Sequence, residues 1–313
     1  MRQASQGPAR IILASRTPAK IQECIDALKT EYPNVEYRAL QMDLGSQKSV
    51  RAAAAEVLSW SDVPTIDIIV NCAAVMGISE RTLSPEGIEL HFATNHIGHF
   101  LFSNLLMPKL IKAADGKPKG TVRVVNISSG SPWVSTIRWS DHNFEKKTKE
   151  LPESERPNTQ THEMFGYKDV ENMSYIPIEG YNQSKIANLL FSIAATERLY
   201  EKYGILSFAV HPGVIETELT RTWTETLTSA VNQMKNSGVF QLKSLGAGAA
   251  SGLVAALDPN LGPPRSSFGI ENYGAYFDDC QISSKALPPN QSSSEADRMW
   301  KLSEELVGQK FDY

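Results

Sequence analysis

The sequence predicts an α/β fold built on a doubly wound parallel sheet. Three observations point that way. Short apolar runs alternate with stripes of helical period, several of those runs end in small or polar residues, and 41% hydrophobic with 21% charged residues is a globular composition. Residues 10–14 (RIILA) are strand-like. Thr17-Pro18 then supplies an N-cap and a proline at the first helical position, followed by Ile21, Cys24, Ile25 and Leu28 on one helical face. Residues 35–42 read as a second strand, and Val50, Ala53, Ala54, Val57 and Leu58 as a second helical stripe. Residues 66–70 are apolar except Asp67, close to the pattern of a strand buried on both faces. A long helix is expected over 92–110, a strand over 122–127, a helix over 181–200 and a strand over 205–210. Strands alternating with helices imply right-handed crossovers. After a turn-rich break at 261–265 and a polar loop at 283–294, a last helix is expected over 295–306.

The 313 residues carry 31 Lys+Arg against 35 Asp+Glu, a net charge of −4. With no basic run, nucleic acid is not an expected partner. Cys24, Cys72 and Cys280 are odd in number and far apart, which argues against a disulfide framework or a CxxC metal site. No run approaches 18 apolar residues, so no transmembrane segment is expected, and the first ten residues lack the apolar core of a signal peptide. The expectation is one soluble, cytoplasmic domain over 1–313. Two excursions, 130–180 and 214–245, interrupt its rhythm; segments that long are more often functional than plain linker.

The chemistry concentrates in Tyr181-Asn182-Gln183-Ser184-Lys185, which opens a helix. Positions i and i+4 share a face, so the phenol and the ammonium lie side by side, and a nearby cation lowers a phenol's pKa toward use as an acid/base. A Tyr packed on a Lys stem fits the same spacing. Upstream, a strand ends in Ile127-Ser128-Ser129-Gly130; ligands of parallel sheets sit beyond the carboxyl ends of strands, so the Ser129 hydroxyl faces a cleft or merely ends the strand. Another strand ends in Asn71-Cys72-Ala73-Ala74, small enough for a flat cofactor to approach. Asn95 is a polar group in an apolar helix, either functional or marking a capped or kinked core helix. His211-Pro212-Gly213 ends a third strand, with Thr217 beyond it. His91, His96 and His99 share one segment but complete no familiar ligand pattern, so no metal site is expected. No GxSxG run suggests a serine hydrolase.

Taken together, Asn71-Cys72-Ala73-Ala74, Asn95, Ser129, Tyr181-x-x-x-Lys185 and Pro212-Gly213 resemble the short-chain dehydrogenase/reductase family, particularly its retinol-dehydrogenase-like branch and related fungal reductases. The resemblance spans roughly residues 10–310 and implies a Rossmann-like fold. It also implies that Tyr181 is the acid/base, that Lys185 lowers its pKa and touches the nicotinamide ribose, that Ser129 orients the substrate oxygen, and that Asn95 holds a water in a proton relay. Asp43 would meet the adenine, and Asn71, Cys72 and Ala73 would line the adenosine side. Pro212, Gly213 and Val214 with Thr217 would hold the carboxamide and phosphates. The first strand ends without an acidic residue and offers Arg16 instead, with Lys20 one turn later. Those cations suit a 2′-phosphate, making NADP (as NADPH) a better expectation than NAD, although both side chains also fit a plain solvated surface. The substrate expected is a small hydrophobic carbonyl or alcohol, with a fungal secondary metabolite suggested by the fungal resemblance alone. Trp133, Trp139, Phe165, Trp223 and Phe240 in the excursions suit such a substrate or simply pack the loops down. The helices at 92–110 and 181–200 are the family's usual dimer faces, so a homodimer is possible; their stripes fit an internal position equally.

The sequence departs from the family in two places. Members open with a strand and a TGxxxGxG turn leading into a helix, which cradles the pyrophosphate. Here residues 1–9 (MRQASQGPA) run directly into what matches the second strand. In the family's strand order, 3-2-1-4-5-6-7, the missing strand is the central one, between the segments at Ile11 and Ile66. The usual Asn-Asn-Ala-Gly also reads Asn-Cys-Ala-Ala. Three readings stay open: a natural product with more sequence before Met1; a short form whose sheet closes by pairing the Ile11 and Ile66 strands, acting as a scaffold or non-redox catalyst; and a short form that still binds NADPH through Arg16, Asp43, Lys185 and Thr217.

Overall fold

A computed structural model describes residues 3–164, 166–220, 225–238 and 240–313. The chain begins with strand β1 (Arg10–Ser15), helix α1 (Pro18–Glu31), strand β2 (Glu36–Gln41), helix α2 (Gln47–Ser59) and strand β3 (Ile68–Asn71). Pro18 stands in the first turn of α1 as expected, though the Thr17 side chain makes no cap bond. Ser46 does cap α2, accepting from the Ser49 amide at 3.4 Å.

The expected 92–110 helix is broken. It consists of a single turn, α3 (Leu90–Phe92), a π-helical turn (Ala93–Ile97), α4 (Gly98–Leu105) and α5 (Met107–Ala114). Pro108 in the first turn of α5 accounts for the second break, since it has no amide to continue the ladder. Strand β4 (Arg123–Ile127) leads into the first excursion, with helix α6 (Thr159–Met164). Helix α7 (Pro177–Tyr203) starts one turn earlier than expected, with a proline at its first position, and stops at Gly204 with φ 70°. Strand β5 (Leu206–His211) is followed by β6 (Val214–Ile215), α8 (Glu225–Asn236), β7 (Leu242–Lys243) and α9 (Leu245–Leu257). The chain closes with β8 (Arg265–Ser267), β9 (Ile270–Tyr273), β10 (Tyr276–Asp278), β11 (Gln281–Ile282) and α10 (Ser293–Val307).

The sheet is split. Among the described residues, β11-β10-β5-β4-β3 form one sheet, parallel except for β11, while β1 and β2 form a separate parallel pair. The closure of the Ile11 strand onto the Ile66 strand, one of the three open readings, does not occur: among the described residues, no strand is paired to the free edge of β1 or of β3. Four of the five β4 residues are buried, whereas β1 is largely half-buried. Water therefore reaches the β1 backbone and hydrates groups that would be costly to leave unpaired in a dry core.

The β1–β2 unit is held to the body by helix packing instead. Helix α2 packs on α4. Gly98 lies so close to the loop after β2 that a Cβ there would be 2.4 Å from the Leu44 carbonyl oxygen. Arg51 donates to Gln309 Oε1 at 2.6 Å and to the Val307 carbonyl at 2.8 Å. Lys109 Nζ donates to the carbonyls of Trp60, at 3.0 Å, and Val63.

The core on the α7 side is aromatic: Phe100 meets Phe191, Trp300 and Phe311 edge-on, with centroids 5.0–5.7 Å apart. Residues 180–196 of α7 are buried within this one chain, and α10 packs along the helix. That helix thus takes the internal position rather than presenting an open dimer face.

Candidate active site

The carboxyl ends of β3, β4 and β5 bring the expected residues together. Ser129 follows β4, while Tyr181 and Lys185 lie one turn apart near the start of α7. Tyr181 is 7% exposed and Lys185 2%. The phenol faces the Ser129 hydroxyl, and the ammonium lies 5.7 Å from the centre of the Tyr181 ring. Burial pushes Tyr181 up to about 12, and the Ser129 hydroxyl lies within hydrogen-bond reach of it. Lys185 Nζ instead donates to the Ile127 carbonyl at 2.7 Å, and burial pushes its pKa down to about 8.

Asn95 sits in the π-helical turn, fully buried. Its Oδ1 accepts from the Val75 amide at 2.8 Å, and its Nδ2 donates to the Val75 carbonyl and to Ser184 Oγ, both at 2.9 Å. It thus pins the loop after β3 to the first turns of α7. Local π-turns recur at functional sites because they re-aim a side chain that a regular helix would present elsewhere.

The residues expected to line a cofactor separate into groups. Cys72 and Ala73 are exposed beyond β3. Desolvation pushes the Cys72 thiol up, against the opposing charge of Lys185. Asn71 does not join them. It is 4% exposed and donates to Asn126 Oδ1 at 2.8 Å and Ser103 Oγ at 2.9 Å, tying β3 to β4 and α4. Arg16, Asp43, Gln41 and Ser49 border an open depression of about 370 Å³. Asp43 accepts from the Gly45 amide at 3.0 Å. Lys20 is paired with Glu218 at 3.2 Å, an exposed contact that links α1 to the segment after β6.

Pro212, Gly213 and Val214 are half-buried at the end of β5, and Val214 pairs with Leu242. Gly213 has φ +84°, and a Cβ there would lie 2.5 Å from Lys243 Cδ, so glycine is required. Thr217 is exposed, with Oγ accepting from the Leu219 amide at 3.3 Å. Trp133 lies beside the site, 5.0 Å from the His211 ring and close against Gly130. Trp139 instead packs on the core under Arg298, which is 4.3 Å from its ring. Phe240 is half-buried. Phe165 and Trp223 lie outside the described residues.

Several neighbours of the site were not assigned to it from the sequence. Glu89 and His91 form a fully buried pair at 2.8 Å, and the His91 ring stands edge-on to Tyr181 at 6.4 Å. Tyr276 donates to the Ser129 carbonyl. Among the described residues, no group of three or more His, Cys, Asp or Glu is placed to hold a metal, and no helix is long and apolar enough to cross a membrane.

His96 and His99 are internal. Nε2 of His96 meets Ser303 Oγ at 2.8 Å, and Nε2 of His99 meets the Ala73 carbonyl at 2.8 Å. Burial pushes their pKa values down from 6.5, to about 3 and about 4. The folded chain keeps both neutral while the unfolded chain protonates them, so the unfolded state binds more protons below pH 6.5 and stability falls as pH drops from there toward 4. The urea midpoint is therefore expected to decline through that window. Neither ring should titrate by NMR between pH 8 and 5; a midpoint near 6.5 for either ring would contradict its burial.

The family model described as short chain dehydrogenase matches residues 1–141. The oxidoreductase fscI of Fusarium equiseti is 36% identical over 210 residues, covering 67% of this chain and 78% of that protein. Short-chain dehydrogenase TIC 32 A of Brassica napus, a chloroplastic protein, is 34% identical over 303 residues, covering 96% and 81%. Human retinol dehydrogenase 12 is 28% identical over 309 residues, covering 99% and 81%. Among solved structures, an uncharacterised Mycobacterium paratuberculosis protein aligns with TM-score 0.57 at 24% identity, over 99% of this chain and 88% of that one. A Burkholderia cenocepacia short chain dehydrogenase aligns with TM-score 0.53 at 16% identity, over 82% and 84%. The chain is an enzyme of the oxidoreductase type and belongs to the short-chain dehydrogenase/reductase family.

Proposed function

We propose that this protein is an NADP-dependent oxidoreductase that interconverts a carbonyl and an alcohol on a small hydrophobic substrate. The observation that carries the reading is the meeting of Ser129, Tyr181 and Lys185 at the carboxyl end of β4. Tyr181 exchanges a proton with the substrate oxygen, and Ser129 hydrogen-bonds the same oxygen. Lys185, fixed by the Ile127 carbonyl, brings positive charge to the cleft wall beside Cys72. Asn95 holds the loop at Val75 against α7, so the two walls of the cleft keep their spacing.

The parts of a dinucleotide fare differently here. The nicotinamide-ribose end fits Lys185, and the adenosine side fits the exposed Cys72–Ala73 segment. The 2′-phosphate end fits Arg16, which is exposed at the rim of the depression shared with Asp43. The central pyrophosphate has no such partner: among the described residues, no glycine-rich turn leads into a helix beside β1 and β3. The unpaired edges of β1 and β3 favour a second reading, a cofactor-deficient member of the family that acts as a scaffold or a non-redox catalyst. A fungal secondary metabolite as substrate rests on the Fusarium equiseti and Phomopsis amygdali relatives alone.

Fluorescence titration of the 313-residue chain with NADPH and NADH separates the two readings. On the first, NADPH binds, and Arg16→Ala weakens it by about tenfold, roughly 1.4 kcal/mol, while NADH is unaffected. Absence of binding by either nucleotide at high micromolar concentration supports the second. Equal weakening of both nucleotides would remove Arg16 from the 2′-phosphate.

A further inference from the structure

Behind Ser129 runs a string of hydrogen bonds whose direction is set at its far end. Glu179 stands on α7, two residues before Tyr181. Burial alone would raise its pKa, but hydrogen bonds from His162, Ser135 and Asn182 outweigh burial and hold the carboxyl below the usual range. An ionised carboxylate only accepts. His162 Nε2 meets Oε1 at 2.7 Å, Ser135 Oγ donates to Oε2 at 2.7 Å, and Asn182 Nδ2 donates to Oε1 at 3.2 Å. The amide of Asn182 is thereby oriented, and its oxygen faces Ser131.

The rest follows by counting protons. Ser131 Oγ donates its one proton to Asn182 Oδ1 at 2.8 Å. It can then only accept at its 2.6 Å contact with Ser129 Oγ, so Ser129 must donate there. Ser129 Oγ also accepts from the Ser131 amide at 3.0 Å. Its own proton is directed away from the cleft, and one lone pair is left on the side of Tyr181. Asn182 and Ser131 are 7% and 5% exposed, which leaves little water to rearrange the string.

We propose that Glu179, acting through Asn182 and Ser131, holds Ser129 as a hydrogen-bond acceptor toward Tyr181, so that the resting site keeps the phenol in its neutral, proton-donating form. The one free lone pair of Ser129 Oγ takes the Tyr181 O–H. A substrate carbonyl oxygen receives a hydrogen bond from Ser129 only when Ser129 gives up its bond to Ser131 and turns over. The device does not move the equilibrium of the reaction, which no enzyme changes; it sets the protonation state of the unliganded site. Glu179, Asn182 and Ser131 are positioning residues. The catalytic consequence rests on Ser129 and Tyr181 being the reacting pair.

Ionisation of Tyr181 tests the polarity without substrate or turnover, because a phenolate is stabilised by a donor and Ser129 has its proton directed elsewhere. The groups facing the phenol are Ser129, the His91 ring, Lys185 and Tyr276. The 13Cζ resonance of Tyr181, identified by its loss in Tyr181→Phe, is followed with pH in the full chain. Ser131→Ala and Asn182→Ala both free the Ser129 hydroxyl to donate, and each should lower the Tyr181 midpoint by at least one pH unit. Asn182→Asp keeps an acceptor opposite Ser131, so its midpoint should stay at or above that of the unmodified chain. No downward shift in the two alanine variants overturns the proposal, as does an equal downward shift in all three. If the pattern holds while no carbonyl or alcohol is turned over, the polarity stands and the proposed function fails.

Discussion

Tyr181→Phe is expected to lower carbonyl–alcohol turnover by about 10²- to 10⁴-fold, the range for removing a positioned acid/base. The change deletes one oxygen and leaves the ring in place. The ring packs beside His91 at 6.4 Å and within 5.7 Å of Lys185 Nζ, and neither contact depends on the hydroxyl. Thermal denaturation should therefore differ by no more than about 1 kcal/mol, the net worth of one ordinary hydrogen bond. The contrast between a large kinetic loss and a small stability loss separates a reacting phenol from a packing one. A variant retaining more than a third of the activity would make Tyr181 a packing residue, as its spacing to Lys185 alone permits.

Gly98→Ala is expected to destabilise the chain by about 3 kcal/mol, at the upper end for overpacking. The added methyl would lie 2.4 Å from the Leu44 carbonyl oxygen and 3.0 Å from its carbon. The obstacle is backbone, which cannot swing aside as the tip of a flexible side chain can. The consequence is uneven because the sheet is split: β1 and β2 are held to the body by α2, α4 and the Leu44 loop, with no ladder to β3. Hydrogen exchange at amides of β1 and β2 should accelerate before exchange in β4 and β5. Uniform acceleration across both sheets would indicate that the two fold as one unit.

The fold's parallel strands were legible because β4 and β5 are buried on both faces and read as largely apolar runs rather than alternating ones. Strand β10 was not. It has three residues, Tyr276–Asp278, too few for any period, and it is a strand only because β5 offers it an edge. The π-turn at Asn95 was also hidden, since an apolar stripe looks the same whether the helix carries an extra residue or not. For the site, Ser129, Tyr181 and Lys185 were legible by residue type and order and lie together, and Asn95 reaches the same helix through Ser184. The direction of the Asn71 amide, into the sheet toward Asn126, was not legible. The reach of Lys185 was hidden for a related reason. Spacing i, i+4 places two side chains on one face, but it does not say that a long amine will reach past the ring to a carbonyl such as that of Ile127. Asn182 stood within one quoted motif and Ser131 directly after another, yet their bond joins residues 51 positions apart and belongs to tertiary structure.

The most direct measurement is the stoichiometry of nicotinamide oxidation to alcohol formation. The purified 313-residue chain is supplied with NADPH and a panel of hydrophobic aldehydes and ketones, and absorbance loss is matched to product by chromatography. Interconversion of carbonyl and alcohol at Ser129 and Tyr181 predicts one alcohol formed per NADPH consumed for at least one carbonyl of the panel. A folded chain that forms no alcohol from any of them, or that forms it without consuming NADPH, would contradict it.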